Sequence, residues 1–355
     1  MKRKLIFIIS NEPWSDIKLS KHHYAIALAK NEDYCVCFIN PVGKYSPFSS
    51  FAPRFNLLND EQLTIVDYNQ LLPYRNKVFT KINDRIMFNK LKSHFNFNKF
   101  SDVIFWQFDS FRFIKLPKRD KVKRIYHVAD SLIVTKFDAE IAKLADLVVC
   151  TNKNFVANYL RVNANTIHVP HGVSAVFFEK SSLVIQKIKE EINPFFILIG
   201  SLNMHTDFEL LYKIAEKYED KTLLIIGPNK TQNNLTPLIT KQNVVYMERM
   251  DLPKLNNYIA ASSVGIIPYL DENNNGRTPL KTINYLTQGV PVFSSIPTGI
   301  PDLSEKSIFY YANFQDFQVL TDRYGKDECT NDYNAAYLKS IKYSNLIDII
   351  LKHLL

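Results

Sequence analysis

The stretch TPLKTINYLTQGVPV, residues 278–292, determines the fold more than any other part of the chain. Thr278 is a favourable N-cap residue and Pro279 a favourable first helical residue, so the sequence predicts a helix that begins here. Gly289 is able to adopt the left-handed conformation that ends many helices. A short apolar strand is expected directly afterwards, over residues 290–294. A helix followed at once by a buried strand is typical of α/β proteins.

The start of this helix has the features of an anion site. Its first backbone N–H groups have no partner within the helix, and the helix dipole favours negative charge there. Arg277 and Lys281 flank these groups and would attract a diphosphate. Asn284 follows Lys281 by three residues and therefore lies on the same helix face. It would reach the sugar of a nucleotide whose phosphates bind at the helix start.

Short apolar runs of strand length alternate with stretches of helical period along most of the chain. This alternation predicts parallel sheets covered by helices on both faces. With 355 residues, the chain suits about two domains. We therefore predict an α/β fold of two Rossmann-like domains. The strand runs are residues 5–9, 35–39, 103–106, 195–199, 222–226 and 244–247, and the helical stretches are 20–30, 208–218 and 252–261.

A polar segment of mixed charge, residues 181–193, separates the two series of strands and predicts the domain boundary. The first domain is expected over residues 1–185 and the second over residues 186–330. Residues 331–355 have a helical period and no strand after them. They are expected to form C-terminal helices that pack back toward the first domain.

Two glycines directly follow apolar strands and point to a ligand site. Gly200 is followed by Ser201, and Gly227 by Pro228. Ligands of open α/β sheets bind at the carboxyl ends of the strands, where a residue without Cβ lets the backbone approach a base or phosphate closely. The alternative for either glycine is a simple turn.

Motifs for several cofactors are missing from the sequence. The first strand, residues 5–9, is followed by no G-x-G-x-x-G, which disfavours a nicotinamide or flavin oxidoreductase. No G-x-x-x-x-G-K-[ST] is present, which disfavours P-loop nucleotide hydrolysis. The eight histidines form no H-E-x-x-H, and no D-x-D accompanies the anion site. We therefore expect neither a metal nor a cofactor.

Positive charge is concentrated in residues 75–124. The whole chain carries 44 lysines and arginines against 35 acids, and this segment holds fourteen of the former against four aspartates. Five phenylalanines are interleaved with these charges, a mixture suited to an anionic membrane surface. The alternative is a solvated basic face with the phenylalanines in the core. Without a recognition motif, no nucleic acid partner is expected.

The sequence predicts a cytoplasmic protein that associates peripherally with the inner face of the cell membrane. Its first apolar run, residues 5–9, is shorter than the apolar region of a signal peptide. No run approaches the ~20 apolar residues that cross a bilayer. The four cysteines contain no C-x-x-C pair, which is consistent with a reducing compartment.

Residues 278–292 resemble the P-x-K-x-x-E-Y-L-A-x-G-x-P-V donor-site helix of GT-B glycosyltransferases, close to glycosyltransferase family 4 and to the enzymes of teichuronic-acid and capsule biosynthesis. Other segments resemble further motifs of these enzymes in the same order along the chain. They are residues 145–151, 169–177, 199–207, 226–228 and 243–269.

The resemblance implies two Rossmann-like domains that face a cleft, with the nucleotide-sugar bound by the second domain. It implies transfer of a sugar from a nucleotide diphosphate sugar, with UDP favoured, to a hydroxyl of a growing, lipid-linked surface polysaccharide. The donor-binding residues that it and the strand ends indicate are Gly200, Ser201, His205, Gly227, Pro228, Met247, Arg277, Thr278, Leu280, Lys281 and Asn284.

Some positions depart from the family pattern. Family 4 enzymes usually carry two acids spaced E-x7-E, and Gly276 and Asn284 occupy these positions here. Ser174 replaces an aspartate, and His205 stands where a lysine or arginine often binds phosphate. The stereochemical outcome therefore stays open. The alternatives are a non-catalytic transferase-like subunit that binds a partner enzyme or glycan, and a nucleotide-sugar epimerase.

An inverting transferase needs a general base beside the acceptor hydroxyl. Asp130 is the candidate base and His127 the reserve, because residues 126–130 resemble a Y-x-x-x-D element of related transferases. The alternative is that Asp130 caps the next helix. Asp109, Trp14 and His22 are candidate acceptor-binding residues near strand ends, with a core or surface role as the alternative.

Overall fold

A computed structural model describes most of the chain as two compact units. The first comprises Met1–Gly172 with Tyr343–Leu355, and the second comprises Val173–Lys342. The described residues are 2–16, 18–43, 52–58, 63–73, 77–117, 120–129, 137–231, 234–270, 279–298, 300, 307–324 and 331–354.

The first unit is built on an eight-stranded sheet within the described ranges, in the order β3-β4-β2-β1-β5-β6-β7-β8. Neighbouring strands are parallel except for β3 and β4. The strands are β1 Lys4–Ile9, β2 Tyr34–Ile39, β3 Arg54–Leu57, β4 Leu63–Asp67, β5 Val103–Gln107, β6 Val122–Val128, β7 Leu147–Cys150 and β8 Thr166–His168. Its helices are α1 Ser20–Ala29, α2 Lys77–Phe95, α3 Asp138–Leu144, α4 Lys153–Leu160 and α12 Tyr343–Leu354.

The second unit has a parallel sheet of six described strands, in the order β11-β10-β9-β12-β13-β14. The strands are β9 Pro194–Ile199, β10 Thr222–Ile226, β11 Val244–Met247, β12 Val264–Ile267, β13 Val292–Ser294 and β14 Ile308–Tyr310. The helices are α5 Ser182–Glu191, α6 Phe208–Lys217, α7 Thr236–Ile239, α8 Leu252–Ala261, α9 Leu280–Thr287, α10 Phe314–Tyr324 and α11 Asn331–Ser340. The prediction of an α/β fold with two parallel-sheet domains is confirmed.

The unit boundaries differ from the domain limits expected from sequence. The chain passes into the second unit at Val173, and the polar segment 181–193 contains helix α5 within that unit. On α5, Ile188 is buried, whereas Leu183 is 81% exposed. A helix that buries so narrow a face has a largely polar sequence, and its composition is therefore similar to that of a linker.

The C-terminal region divides between the two units. Helix α11 belongs to the second unit, and the chain returns to the first unit at Tyr343. Helix α12 there packs against α1 and β7. The return therefore comprises residues 343–355, a shorter segment than the predicted 331–355.

Most of the phenylalanines in the basic segment belong to the core of the first unit. Phe88, Phe97 and Phe100 are buried in one cluster with Phe7 and Phe105, and Phe95 packs against this cluster. These four rings therefore match the alternative interpretation of the basic segment, in which its phenylalanines lie in the core. Across the ranges that the structure describes, no helix is both long and apolar enough to cross a bilayer.

Candidate functional site

Three neighbouring strands of the second unit, β9, β10 and β11, end at the same edge of the sheet. The N–H of Gly200 donates to the carbonyl of Ile226 (2.9 Å), and the N–H of Gly227 donates to that of Met247 (3.1 Å). Gly200 has φ +99° and Gly227 has φ +150°. A Cβ on Gly227 would lie 2.2 Å from the carbonyl oxygen of Gly200, so only glycine fits here. Ser201 and Pro228 continue from these ends, and Leu202 N–H donates to the Pro228 carbonyl (3.0 Å).

Helix α9 begins beside this edge, one residue later than predicted. Pro279 is its N-cap residue, with ψ 115°, so Pro279 precedes the helix and Leu280 is the first helical residue. Thr278, the predicted N-cap, lies outside the described residues, as does Arg277. The predicted end is confirmed, since Gly289 has φ +74° and its N–H donates to the carbonyl of Leu286 (3.0 Å).

Tyr285 fixes α9 against the sheet. Its hydroxyl accepts from the N–H of Ile199 (3.0 Å) and donates toward the carbonyls of Ile197 (3.1 Å) and Ile266 (3.2 Å). Its ring fills the space above Gly265, where a Cβ would lie 2.5 Å from the ring. The first turn of α9 is thereby held at the carboxyl ends of β9 and β12.

Lys281 extends from this first turn over the strand end. Its Cε and Nζ lie 3.6 Å from the position that a Cβ on Gly200 would take. Its ammonium also lies 4.6 Å from the centre of the Tyr269 ring. Lys281 forms no ion pair with any residue of the described ranges. A cation is thus held beside the end of β9, and no carboxylate of the described residues pairs with it.

The loop before α6 forms another side of the site. Leu270 N–H donates to the carbonyl of His205 (3.0 Å), and Asp207 N–H donates to that of Pro268 (2.8 Å). The Nδ1 of His205 is buried and has no hydrogen-bond partner in the described part of the chain. Such a buried polar atom is costly unless a ligand or water satisfies it.

Asn284 and Thr282, on the first turns of α9, also carry unpaired polar atoms. The Oδ1 of Asn284 and the Oγ1 of Thr282 are buried and lack partners among the described residues. An amide oxygen accepts hydrogen bonds, and a hydroxyl donates or accepts. Thr282 is fully buried, whereas Asn284 is half-buried and lies on the same helix face as Lys281. Lys281, Asn284 and the start of α9 therefore suit a ligand that carries both phosphate and hydroxyl groups.

His127 lies in an aromatic cluster of the first unit and is only 1% exposed. The Nε1–H of Trp106 donates to its Nδ1 (3.1 Å), and its ring stacks on Phe108 with centroids 4.5 Å apart. Burial, and next the charge of His171, lower its pKa well below the usual value. In this structure the ring is therefore enclosed and not exposed to an acceptor hydroxyl, and the role of His127 as reserve base stays a prediction. Asp130 lies outside the described residues.

Asp109 is a structural residue and not an open acceptor contact. Its Oδ2 accepts from the Nε–H of Arg112 (2.7 Å), and its Oδ1 accepts from the N–H of Phe111 (2.7 Å). Arg112 is 1% exposed and also donates to the Tyr68 hydroxyl (2.8 Å) and to the carbonyl of Ser10 (2.6 Å). Each carboxylate oxygen thus already accepts a hydrogen bond within the protein, which leaves less capacity for an acceptor hydroxyl.

His22 caps helix α1 and is likewise not free for an acceptor. Its Nδ1 accepts from the N–H of Leu19 (2.9 Å), and its Nε2–H donates to the carbonyl of Pro13 (3.0 Å). Both ring nitrogens are used and the residue is 1% exposed. Trp14 is half-buried, with its ring at the edge of Phe38 and with the ammonium of Lys18 4.0 Å from its centre. Trp14 therefore stays an acceptor candidate.

A cavity of about 440 Å³ opens in the first unit where β2 and β4 end. Arg54, Asp67 and Asn69 supply its polar lining. Asp67 Oδ1 accepts from Asn40 Nδ2 (2.7 Å), and Asn40 Oδ1 accepts from the N–H of Trp14 (2.7 Å). This chain of bonds connects the Trp14 loop to the cavity wall. The volume of the cavity lies within the range of small-molecule sites.

Sequence reasoning missed Tyr269 and this cavity. Tyr269 lies two residues after strand β12, in the segment 243–269 that resembles a family motif, and this position was the only indication of a role in the site. The cavity has no signal in sequence, because its wall comes from three separate segments. Over the described residues, no group of three or more histidines, cysteines or acids is placed to hold a metal ion.

Two units with parallel sheets, the second with glycine-lined strand ends beside the start of α9, define the GT-B glycosyltransferase fold. Sucrose-phosphate synthase from Thermosynechococcus elongatus has this fold, with TM-score 0.71 and 15% identity over 99% of this chain and 97% of that chain. So does Anabaena HepE, solved in complex with UDP and glucose, with TM-score 0.66 and 12% identity over 99% of each chain. At such low identities, the TM-scores show a shared fold and no more.

One curated relative is similar in sequence. It is TuaH of Bacillus subtilis, assigned to teichuronic acid biosynthesis as a glycosyltransferase, with 24% identity over 182 residues. The aligned region spans 49% of this chain and 45% of TuaH. No family model matches the chain.

Proposed function

We propose that this protein is a glycosyltransferase that moves a sugar from a nucleotide diphosphate sugar to an acceptor hydroxyl. The observation that carries the proposal is the ammonium of Lys281, 3.6 Å from the Cβ position of Gly200 at the carboxyl edge of the second sheet and without an ion pair among the described residues. Breaking the bond between sugar and diphosphate leaves negative charge on the departing phosphate. A cation and helix N–H groups fixed beside that charge stabilise the transition state.

The other unpaired groups have roles in the same proposal. Asn284 accepts from a ribose hydroxyl, and His205 contacts phosphate from the loop before α6. Gly200, Gly227 and Met247 form the backbone floor on which the nucleotide lies. UDP is the proposed nucleotide, because HepE, which shares the fold, has been solved with UDP and with UDP-glucose.

Asp130 is the proposed general base. Its support is indirect: the imidazole of His127 is enclosed by aromatic rings and both oxygens of Asp109 are bonded to other groups. The acceptor is proposed to enter the cavity beside Arg54 and Asp67, near Trp14. We further propose that catalysis requires no metal, with Lys281 and α9 supplying the charge stabilisation.

The proposed acceptor is a growing, lipid-linked surface polysaccharide on the cytoplasmic face of the membrane. The similarity to TuaH supports this acceptor class. Arg85, Lys90 and Lys99 are exposed and would attract anionic lipid headgroups at about 1 kcal/mol each. Since the nearby rings are buried, this association would be electrostatic and would weaken as salt concentration rises.

Calorimetric titration with UDP, GDP and CMP in the presence of EDTA tests the donor site. We expect UDP to bind the wild type and to bind Lys281→Ala about 10- to 100-fold more weakly, because a charge-assisted hydrogen bond is lost. Lys254→Ala, an exposed lysine on α8, is the matched control and should bind like the wild type. Equal binding by both variants, or no binding of any nucleotide, contradicts the proposal.

A non-catalytic subunit is the second candidate, favoured by Asn284 where family 4 enzymes have an acid. It predicts UDP binding without chemistry. Release of UDP from a UDP-sugar, with or without acceptor, would exclude it. Asp130→Asn should abolish transfer to an acceptor while leaving UDP affinity unchanged if the residue is the base.

A further inference from the structure

The ammonium of Lys281 lies over the ring of Tyr269 and has no ion-pair partner in the part of the chain that the structure describes. The ammonium lies 4.6 Å from the ring centre, a distance at which the electron-rich face of an aromatic ring attracts a cation. A lysine side chain has four rotatable bonds and would otherwise sample many positions. The ring therefore restricts where the ammonium goes.

The backbone of Tyr269 is itself fixed from two sides. Its N–H donates to the Oγ of Ser295 (2.8 Å), whose hydroxyl lies 2.7 Å from the Tyr269 carbonyl and 3.1 Å from that of Ile267. Thr206 pairs with Tyr269 as an isolated antiparallel bridge. Tyr269 is therefore tied to the end of β13 and to the loop that carries His205.

We propose that Tyr269 is a positioning residue for Lys281, which holds the ammonium over the strand end so that it meets a diphosphate. This inference rests on the proposed function and deepens it. Because the ring acts through the lysine, it should affect ligands with a diphosphate and not the nucleoside. It also needs only the ring face, so the hydroxyl of Tyr269 is dispensable.

A double-mutant cycle on UDP affinity tests the inference. Tyr269→Leu should weaken UDP roughly threefold to tenfold and leave the affinity for uridine unchanged, whereas Tyr269→Phe should match the wild type. In the Lys281→Ala background, Tyr269→Leu should have no further effect on UDP. A direct contact between Tyr269 and the nucleotide would weaken uridine as well and would persist in that background, which overturns the positioning role.

A ligand-free measurement separates this inference from the proposed function. In protein with ¹³C-methylated lysines, the signal of Lys281 should carry an aromatic ring shift that Tyr269→Phe keeps and Tyr269→Leu removes. If this shift is present while the wild type binds no nucleotide, the proposed function fails and the contact stands. If Lys281 shows no ring shift, the positioning role is wrong whatever the nucleotide result.

Discussion

At the scale of single residues, polar side chains of the first unit are bonded to partners that their place in the sequence does not reveal. The indole N–H of Trp106, 21 residues away in sequence, donates to His127. The backbone groups of Leu19 and Pro13 form hydrogen bonds with the two ring nitrogens of His22. A residue type at a strand end was therefore insufficient to predict a site in the first unit. In the second unit, the position of Lys281 at a helix start predicts an anion contact, because helix starts have a fixed chemistry.

Gly227 gives a prediction at this scale. Gly227→Ala should lower the free energy of unfolding by roughly 3 kcal/mol or more, because a Cβ would meet the Gly200 carbonyl oxygen at 2.2 Å in a backbone conformation with φ +150°. Gly289→Ala is the comparison. Its φ of +74° lies in the left-handed region, where alanine costs about 1–2 kcal/mol. Urea unfolding of both variants measures the difference, and equal losses would contradict the close approach of the two strand ends.

At the scale of elements, the seven strands predicted from hydrophobic pattern are all present, among the fourteen strands that the structure describes. The runs at residues 195–199 and 222–226 became β9 and β10 with limits within one residue. Helix α5 was missed because its residues are mostly exposed, and composition does not distinguish such a helix from a linker. Hydrophobic periodicity thus predicts elements that bury a broad face, and it does not detect a helix that buries a narrow one.

The start of α1 makes stability depend on pH. Burial, as the largest cause, lowers the pKa of His22 to about 4, and it lowers that of His23 to about 4 as well. In the unfolded chain both take up a proton near pH 6.5. The unfolded state therefore binds more protons between these values, so stability is full above about pH 6.5 and falls as the pH drops toward 4.

Urea unfolding at several pH values between about 4 and 7 measures this dependence. The double variant His22→Gln/His23→Gln should be less stable than the wild type at pH 7, since a cap and a stacking contact are lost. Its stability should nevertheless change less with pH across the window. A variant whose slope equals that of the wild type would show that other groups cause the loss.

At the scale of the whole molecule, the first unit depends on a helix from the far end of the chain. Tyr343 of α12 stacks on His23, with ring centroids 5.3 Å apart, and Ile350 is fully buried. Ile350→Ala should cost about 2–5 kcal/mol in unfolding free energy. Ile349→Ala, one residue earlier and 42% exposed, should cost less than about 0.5 kcal/mol.

Thermal unfolding of the two isoleucine variants measures this effect, and calorimetry at a temperature where both are folded should give wild-type UDP affinity. That combination is expected because α12 belongs to the first unit and Lys281 to the second. Similar melting temperatures for the two variants would mean that α12 contributes little to the first unit.

The division of the first unit into residues 1–172 and 343–355 also sets an order of events during synthesis. The ribosome makes the whole second unit before it makes α12. Synthesis of the second unit takes roughly 10 to 30 s at the usual rates. During that interval the surface of α1 that later contacts Tyr343 has no covering helix. The first unit therefore lacks α12 throughout this interval and cannot complete its fold. The second unit, although it is made later, has all its residues before the first unit does.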